Sequence, residues 1–237
     1  MVRIAFHAPG LADFPVEQPG EIVTLIWPGE GADVVLPQDG WRFPDGTPDQ
    51  HARNYTVRRH DPAARTLEID FVVHGDHGTA SRWAARARPG DALGYAGPRF
   101  HWHREHNDGA AWTLLIADET GLPALAAIAE ELPAYQRAIA LIEVEDEAER
   151  QPLRCAGRLD VTWVHRDGVH AGETLALADA ARSVALPDGA GRVWGAGESG
   201  VMRAVRDCLR EERGIERSAM HILGYWKHDD TKDWIDE

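Results

Sequence analysis

The sequence predicts an antiparallel β-barrel or sandwich followed by an α/β domain built on a parallel sheet. Three observations carry this. Residues 1–108 hold short β-prone runs cut by Pro and Gly turns. From residue 109 continuous apolar runs alternate with helical segments, the rhythm of a parallel sheet with helices on its faces. Between them lies a polar stretch, REHNDGAA at 104–111, where the domains are expected to join. The 237 residues suffice for two small domains.

In the first half the β-prone runs are 4–6, 21–27, 54–58 and 67–73. Turns are expected at Pro9-Gly10, Pro19-Gly20, Pro28-Gly29, Pro37, Pro44, Gly46, Pro62, Pro89-Gly90 and Gly97-Pro98. One helix is expected at 80–87, where SRWAARA is rich in helix formers. In the second half WTLLIA at 112–117 reads as a buried parallel strand. A turn, DETGLP, leads to a helix at 123–132. Strands follow at 138–144 and 161–165, and a helix at 174–181. A fourth strand at 192–195 ends in a glycine turn. An amphipathic helix at 201–213 is closed by Gly214, and 221–225 is the last strand.

The net charge of −14 argues against nucleic acid, whose binding rests on Lys and Arg neutralising phosphates, and against anionic membrane surfaces. Arg supplies nearly all the basic charge; the only lysines are Lys227 and Lys232. The two cysteines, Cys155 and Cys208, are far apart and fit a reducing compartment. The N-terminal residues lack a signal-peptide core, and no apolar stretch approaches the ~20 residues of a membrane span. A cytoplasmic, monomeric protein without membrane insertion is expected.

Five segments suit ligand chemistry. In Arg53-Asn54-Tyr55-Thr56, alternation sets Arg53 and Tyr55 on one strand face with Thr56 beside them. Arg can pair with a pyrophosphate, Tyr can cover an aromatic ring, and Thr can hydrogen-bond; an ordinary strand is the plain alternative. The stretch 74–84 is a glycine-bounded turn into a helix, where small residues admit a phosphate; Ser81 is otherwise a capping residue. Asp118 to Pro123 follows the first α/β strand, at the strand end where ligands sit in open α/β sheets. Gly195-Ala196-Gly197-Glu198-Ser199 reads as a strand-to-helix glycine turn, or as a tight turn with Glu198 at a helix N-terminus; it lacks the full GxGxxG fingerprint. Gly224-Tyr225-Trp226-Lys227-His228 ends the last strand, with aromatics to wall a ligand and Lys227 to attract an anion, or an aromatic lid with Lys227 solvated. His101, His103 and His106 form HxHxxH, read here as solvated rather than metal-binding.

In this order the segments resemble the siderophore-interacting protein family, the ferric-siderophore reductases of the ferredoxin-reductase-like superfamily. The likeness runs through RNYTVR (53–58), FVVHGDHGTASRWA (71–84), LLIADETGLPAL (114–125), VTWVHR (161–166), VWGAGESGVMRAVR (193–206) and HILGYWK (221–227). It implies an FAD-binding β-barrel at 1–108 and a nicotinamide-binding α/β domain at 109–237. It implies that Arg53, Tyr55, Thr56, His74, Gly78, Thr79, Ala80 and Ser81 meet FAD. Asp118 and Thr120 would line the cofactor cleft, with Gly195, Ala196, Gly197, Glu198 and Ser199 by the nicotinamide. Lys227, with Tyr225 and Trp226, would meet the ferric siderophore. NADH or NADPH would deliver hydride to the flavin, which would pass single electrons to Fe(III); no side chain acts as nucleophile or base. A general flavin electron-transfer protein and a non-catalytic flavin or siderophore binder share the scaffold. The sequence does not tell NADH from NADPH: Arg166 and Arg203 are candidates to contact a 2′-phosphate, with plain surface residues as the alternative.

The sequence departs from the family pattern in three places. The pattern begins with a further strand before the segment matching MVRIAFHAPGL, so the first barrel strand is expected to be missing or the start mis-assigned. Thr79 stands where the pattern has Pro, and Gly121 where it has Ala; both changes are expected to be mild.

Overall fold

A computed structural model describes residues 1–28, 32–38, 42–47, 49–75 and 78–228. Gly29, Asp76, His77 and the acidic tail at 229–237, with Lys232, lie outside the described residues. The chain divides into two compact units, Met1–His101 and Trp102–Glu237.

The first unit holds two three-stranded antiparallel sheets, β1 (Val2–His7), β5 (Thr66–Phe71) and β4 (Arg59–Asp61) in one, and β3 (His51–Thr56), β2 (Ile22–Trp27) and β6 (Gly94–Arg99) in the other. Both sheets turn side chains into one core: Val23, Leu25 and Trp27 from β2, Leu67, Ile69 and Phe71 from β5. The chain passes from one sheet to the other at Val57–Arg58. There the Val57 N–H bonds the Glu21 carbonyl at 2.7 Å and the Arg58 N–H bonds that of Glu68 at 2.9 Å. This crossing ends β3 at Thr56, where the sequence alone suggests a strand running to 58. The helix α1 (Thr79–Ala84) is shorter than the expected 80–87 and packs Ala80 and Ala84 on the core.

Sequence reading finds neither β4 nor β6. β4 is three polar residues at a sheet edge. β6 is GYAGPR, in which Gly97 has φ of 125° beside the Ile22 carbonyl, and the pairing with β2 shifts register there. Gly in a strand marks such a bulge.

The second unit is a five-stranded parallel sheet in the order β11 (Met220–Trp226), β10 (Gly191–Glu198), β7 (Trp112–Ala117), β8 (Arg137–Val144), β9 (Leu159–His165). Helices α3 (Ala176–Ser183) and α4 (Ser199–Glu211) pack Leu177, Ala181, Val201, Val205 and Leu209 on one face, against Leu114, Ile116, Ile139 and Leu141. Helix α2 (Leu122–Glu131) packs on β7 and β10 and is buried along most of its length. Both β7 and β8 are buried almost throughout, which is why each reads as an unbroken apolar run. Among the described residues no helix is long and apolar enough to cross a membrane.

The stretch Gly195-Ala196-Gly197-Glu198 is strand, not the glycine turn that the sequence suggests. Its glycines answer to space. A Cβ on Gly197 would lie 2.7 Å from Asp118 Oδ2, and one on Gly195 3.3 Å from the Ile116 carbonyl oxygen. The turn itself falls between Glu198 and Ser199.

Candidate functional site

In the first unit the candidate residues sit on β3 and on the loop from β5 to α1. Pairing of Tyr55 with Val23 and of Arg53 with Leu25 sets both on the core-facing side of the sheet. The half-buried Tyr55 ring packs 4.5 Å from Phe71 and 6.0 Å from Trp27 between centroids. Trp27 in turn meets Trp83 of α1 at 6.1 Å, so β3 and α1 share one aromatic cluster. Its buried Nε1 has no hydrogen-bond partner among the described residues. Arg53 donates to the Ala52 carbonyl at 2.9 Å. Thr56 is buried on the opposite face, paired with Ile22. Asn54 shares that face, where its Oδ1 accepts from Thr24 Oγ1 at 2.8 Å and from Arg99. Sequence reading missed this Thr24–Asn54–Arg99 group, because it joins three strands.

The loop is shaped by Ser81. Its buried hydroxyl donates to the Gly75 carbonyl at 3.0 Å and accepts from the His74 N–H at 3.1 Å. Gly75 and Gly78 have φ of 83° and 78°, a conformation that side chains resist. A Cβ on Gly75 would meet nothing within 4 Å, so this backbone is open to its surroundings. His74 and Gly78 are exposed, Thr79 half-buried, and Ala80 buried against the core.

In the second unit the candidates gather at the carboxyl ends of the strands, centred on Asp118. One carboxylate oxygen accepts from the Thr120 N–H (2.8 Å), the Thr120 hydroxyl (2.6 Å) and the Gly121 N–H (3.2 Å). The other accepts from the Glu198 N–H (2.9 Å) and the Trp226 indole N–H (2.8 Å). One side chain thus ties the ends of β7, β10 and β11. Burial pushes the Asp118 pKa up, against the pull of its bonds from Thr120 and Trp226. Glu198 caps α4 through Val201 N–H at 2.7 Å and also accepts from the His228 N–H. Ser199 donates to the Trp226 carbonyl at 2.8 Å.

Two sequence expectations change here. Trp226 is buried, 5% exposed, and its one N–H is given to Asp118, so it is a strut of the sheet edge rather than a wall for a ligand. Arg166 is not a free cation for a 2′-phosphate: its guanidinium is held bidentately by Glu119 at 2.6 and 2.7 Å and lies 3.6 Å from Glu143. Tyr225 is half-buried and Lys227 exposed.

Glu143 was not visible as special in the sequence. Burial drives its pKa up to about 7, and the Asp118 and Glu119 carboxylates push the same way against the pull of Arg166. Its Oε2 is buried without a hydrogen-bond partner among the described residues. The unfolded chain releases this proton near 4.5 and the folded chain near 7, so the folded state binds it more tightly. The resulting stabilisation is fully present below pH 4.5 and is lost as the pH rises through 7. A shift of this size is worth about 3 kcal/mol. Glu143→Gln is therefore expected to be more stable than the parent by up to about 3 kcal/mol at pH 8 and close to it at pH 4.5. Urea unfolding at the two pH values measures this; an equal difference at both would refute it.

Of the HxHxxH residues, His101 and His106 are exposed and His103 is half-buried. The His103 N–H donates to His106 Nδ1 at 3.2 Å, and the His106 ring stacks on His221 of β11 at 5.8 Å. Burial, with Arg99 beside it, holds His101 below the ordinary imidazole range. Among the described residues no group of three or more His, Cys, Asp or Glu is placed to hold a metal ion.

Comparison with known proteins agrees along the whole chain. The family model of the siderophore-interacting FAD-binding domain matches residues 1–102, and that of the siderophore-interacting protein matches 110–229. The ferric vibriobactin reductase ViuB of Vibrio cholerae is 29% identical over 233 residues, covering 96% of this chain and 84% of that protein. A siderophore utilization protein from T. fusca superposes with a TM-score of 0.84 at 34% identity, covering 95% of this chain and 86% of that one. A ferredoxin NADP+ reductase from Neisseria gonorrhoeae, 14% identical with a TM-score of 0.63 over 94% of this chain and 91% of that one, shares the fold. An antiparallel β unit, a five-stranded parallel sheet and these two consecutive matches place the chain in the siderophore-interacting protein family, with the ferredoxin-reductase-like fold.

Proposed function

We propose that the chain is an FAD-dependent oxidoreductase that takes electrons from NADH or NADPH and reduces ferric siderophores, releasing ferrous iron in the cytoplasm. The observation that carries the reading is the likeness of 96% of the chain to a ferric vibriobactin reductase. The net reaction balances as one NAD(P)H and two Fe(III) giving NAD(P)+, two Fe(II) and one proton. Ferrous iron is the softer acid, so hard oxygen ligands hold it less tightly.

The residues present fit a flavin. Between β5 and α1 lie two left-handed glycines, Gly75 and Gly78, of which Gly75 has open backbone, and Ser81 holds the Gly75 carbonyl and the His74 N–H. The Trp27 N–H is an unanswered donor in the aromatic cluster that joins Tyr55 and Trp83. Bound FAD would supply the exchange between two-electron hydride chemistry and one-electron reduction of iron. In this reading Arg53, with a cationic fork, and the backbone at Gly75 and 78–81 hold the pyrophosphate. Tyr55 orients the ring system, with the Thr56 backbone next to it, and His74 lies beside it. Asp118, Glu198 and Ser199 fix the edge on which the nicotinamide nucleotide rests, and Thr120 and the Gly195–Gly197 backbone face it. Lys227, exposed just beyond β11, attracts the anionic siderophore, with Tyr225 beside it.

The test is an absorbance spectrum of the purified full-length chain. A yellow protein, bleached anaerobically by NAD(P)H and recoloured faster by a ferric siderophore than by ferric citrate, is expected. Absence of flavin before and after incubation with FAD, or recolouring no faster with the siderophore, would sink the reading. Lys227→Ala is expected to slow recolouring several-fold while bleaching by NAD(P)H keeps its rate.

A further inference from the structure

We propose, building on the nicotinamide site just assigned, that the chain uses NADH in preference to NADPH, because carboxylates line the strand end where the adenosine ribose lies and the nearest buried guanidinium is already taken. The strand order fixes where that ribose goes. The chain leaves β7 through Asp118–Gly121 into α2, returns beside β7 as β8, and later returns on its other side as β10. The order reverses at β7, and ligands of open α/β sheets bind at that switch point, outside the carboxyl ends. The pyrophosphate then meets the first strand-to-helix turn. The adenosine ribose falls at the end of the next strand, about twenty residues further on, where an acidic side chain selects a free 2′-hydroxyl and a cation selects a 2′-phosphate.

Here that next strand ends in Glu143-Val144-Glu145-Asp146-Glu147. Glu145, Asp146 and Glu147 are exposed. The end of β9 runs alongside: the Arg166 N–H bonds the Val144 carbonyl and the Asp167 N–H bonds that of Glu145, both at 3.0 Å, so Asp167 adds a carboxylate to the same rim. The cations there are engaged. Arg166 is held by Glu119 with its side chain 7% exposed. Arg150 donates to His165 at 3.0 Å and lies 3.4 Å from Glu147. Arg203 is an exposed residue of α4, which follows β10 on the opposite side of the switch point. A ribose 2′-hydroxyl can donate to a carboxylate such as Glu145. A 2′-phosphate, with close to two negative charges, meets like charge there, and the rim's guanidiniums among the described residues, Arg150 and Arg166, already have partners.

Two measurements on the flavin-loaded full chain test this: anaerobic bleaching by NADH and by NADPH, and calorimetric binding of NAD+ and NADP+. NADH is expected to be at least tenfold more efficient, with NAD+ the tighter binder. Glu145→Arg combined with Asp146→Arg should shrink both ratios tenfold or more through better use of the phosphorylated nucleotide. Equal or better use of NADPH, equal or tighter binding of NADP+, or ratios unmoved in the double variant would overturn the inference. Selective NAD+ binding without bleaching by either nucleotide would leave the inference standing and refute the proposed oxidoreductase instead. Binding of neither nucleotide would end both.

Discussion

Replacing Asp118 by asparagine is expected to cost the α/β unit about 3 kcal/mol, a large share of the 5–15 kcal/mol that ordinarily holds a domain together. The substitution keeps size and shape, so the loss is one of hydrogen bonding. Each carboxylate oxygen accepts from two N–H groups, those of Thr120 and Gly121 on one side and those of Glu198 and Trp226 on the other. An amide can present an acceptor to only one pair, and its NH2 is then set against the other two donors. Those donors are buried, and leaving them unanswered carries their full desolvation cost. Urea denaturation followed by tryptophan emission measures this, since Trp226 is one of the partners. A midpoint within error of the parent would show that the five bonds do not support the sheet edge.

Gly121→Ala is expected to be comparably damaging, about 3 kcal/mol, although the resemblance read from the sequence leads one to expect alanine at this position. Gly121 has φ of −84° and ψ of −18°, which alanine adopts readily, so backbone freedom is not the issue. Space is. An added Cβ would run into the Ala196 carbonyl oxygen and stand 2.9 Å from its carbon, with the Ala117 side chain at 3.1 Å. The obstacle is backbone of a central strand, which cannot swing aside as a side chain can. The entropy that alanine removes from the unfolded chain, about 0.4–1 kcal/mol, is too small to compensate. The expectation of a mild change at this position therefore does not survive the structure. Thermal unfolding of the variant decides it, and a melting temperature equal to or above the parent's would refute the steric argument.

Much of the second unit was legible because parallel strands buried on both faces carry an unmistakable signal: WTLLIA and ALIEV are apolar runs for a reason that lies within each run. What was not legible depends on residues distant in sequence. GYAGPR becomes a strand because β2 accepts a bulge at Gly97. The GAG triplet continues β10 because Asp118 needs the room beside Gly197. Arg166 reads as a spare cation until Glu119, 47 residues away, is seen to hold it. Trp226 reads as a surface aromatic until its indole is found bonded across the sheet. At the site, the bonds that hold Asp118 and Arg166 join residues too far apart in sequence to be read from it.

The bond from Trp226 to Asp118 spans 108 positions of chain. It joins the first strand of the parallel sheet to the last one synthesised. The β unit has all its strands in hand by Arg99 and can begin to fold while the ribosome is still working. The sheet's carboxyl edge has no such option: until β11 has left the exit tunnel, Asp118 lacks its Trp226 donor. During synthesis a finished β unit would thus be tethered to an unfinished α/β unit, and premature termination between Arg99 and residue 226 would release a chain in which only the first can be whole.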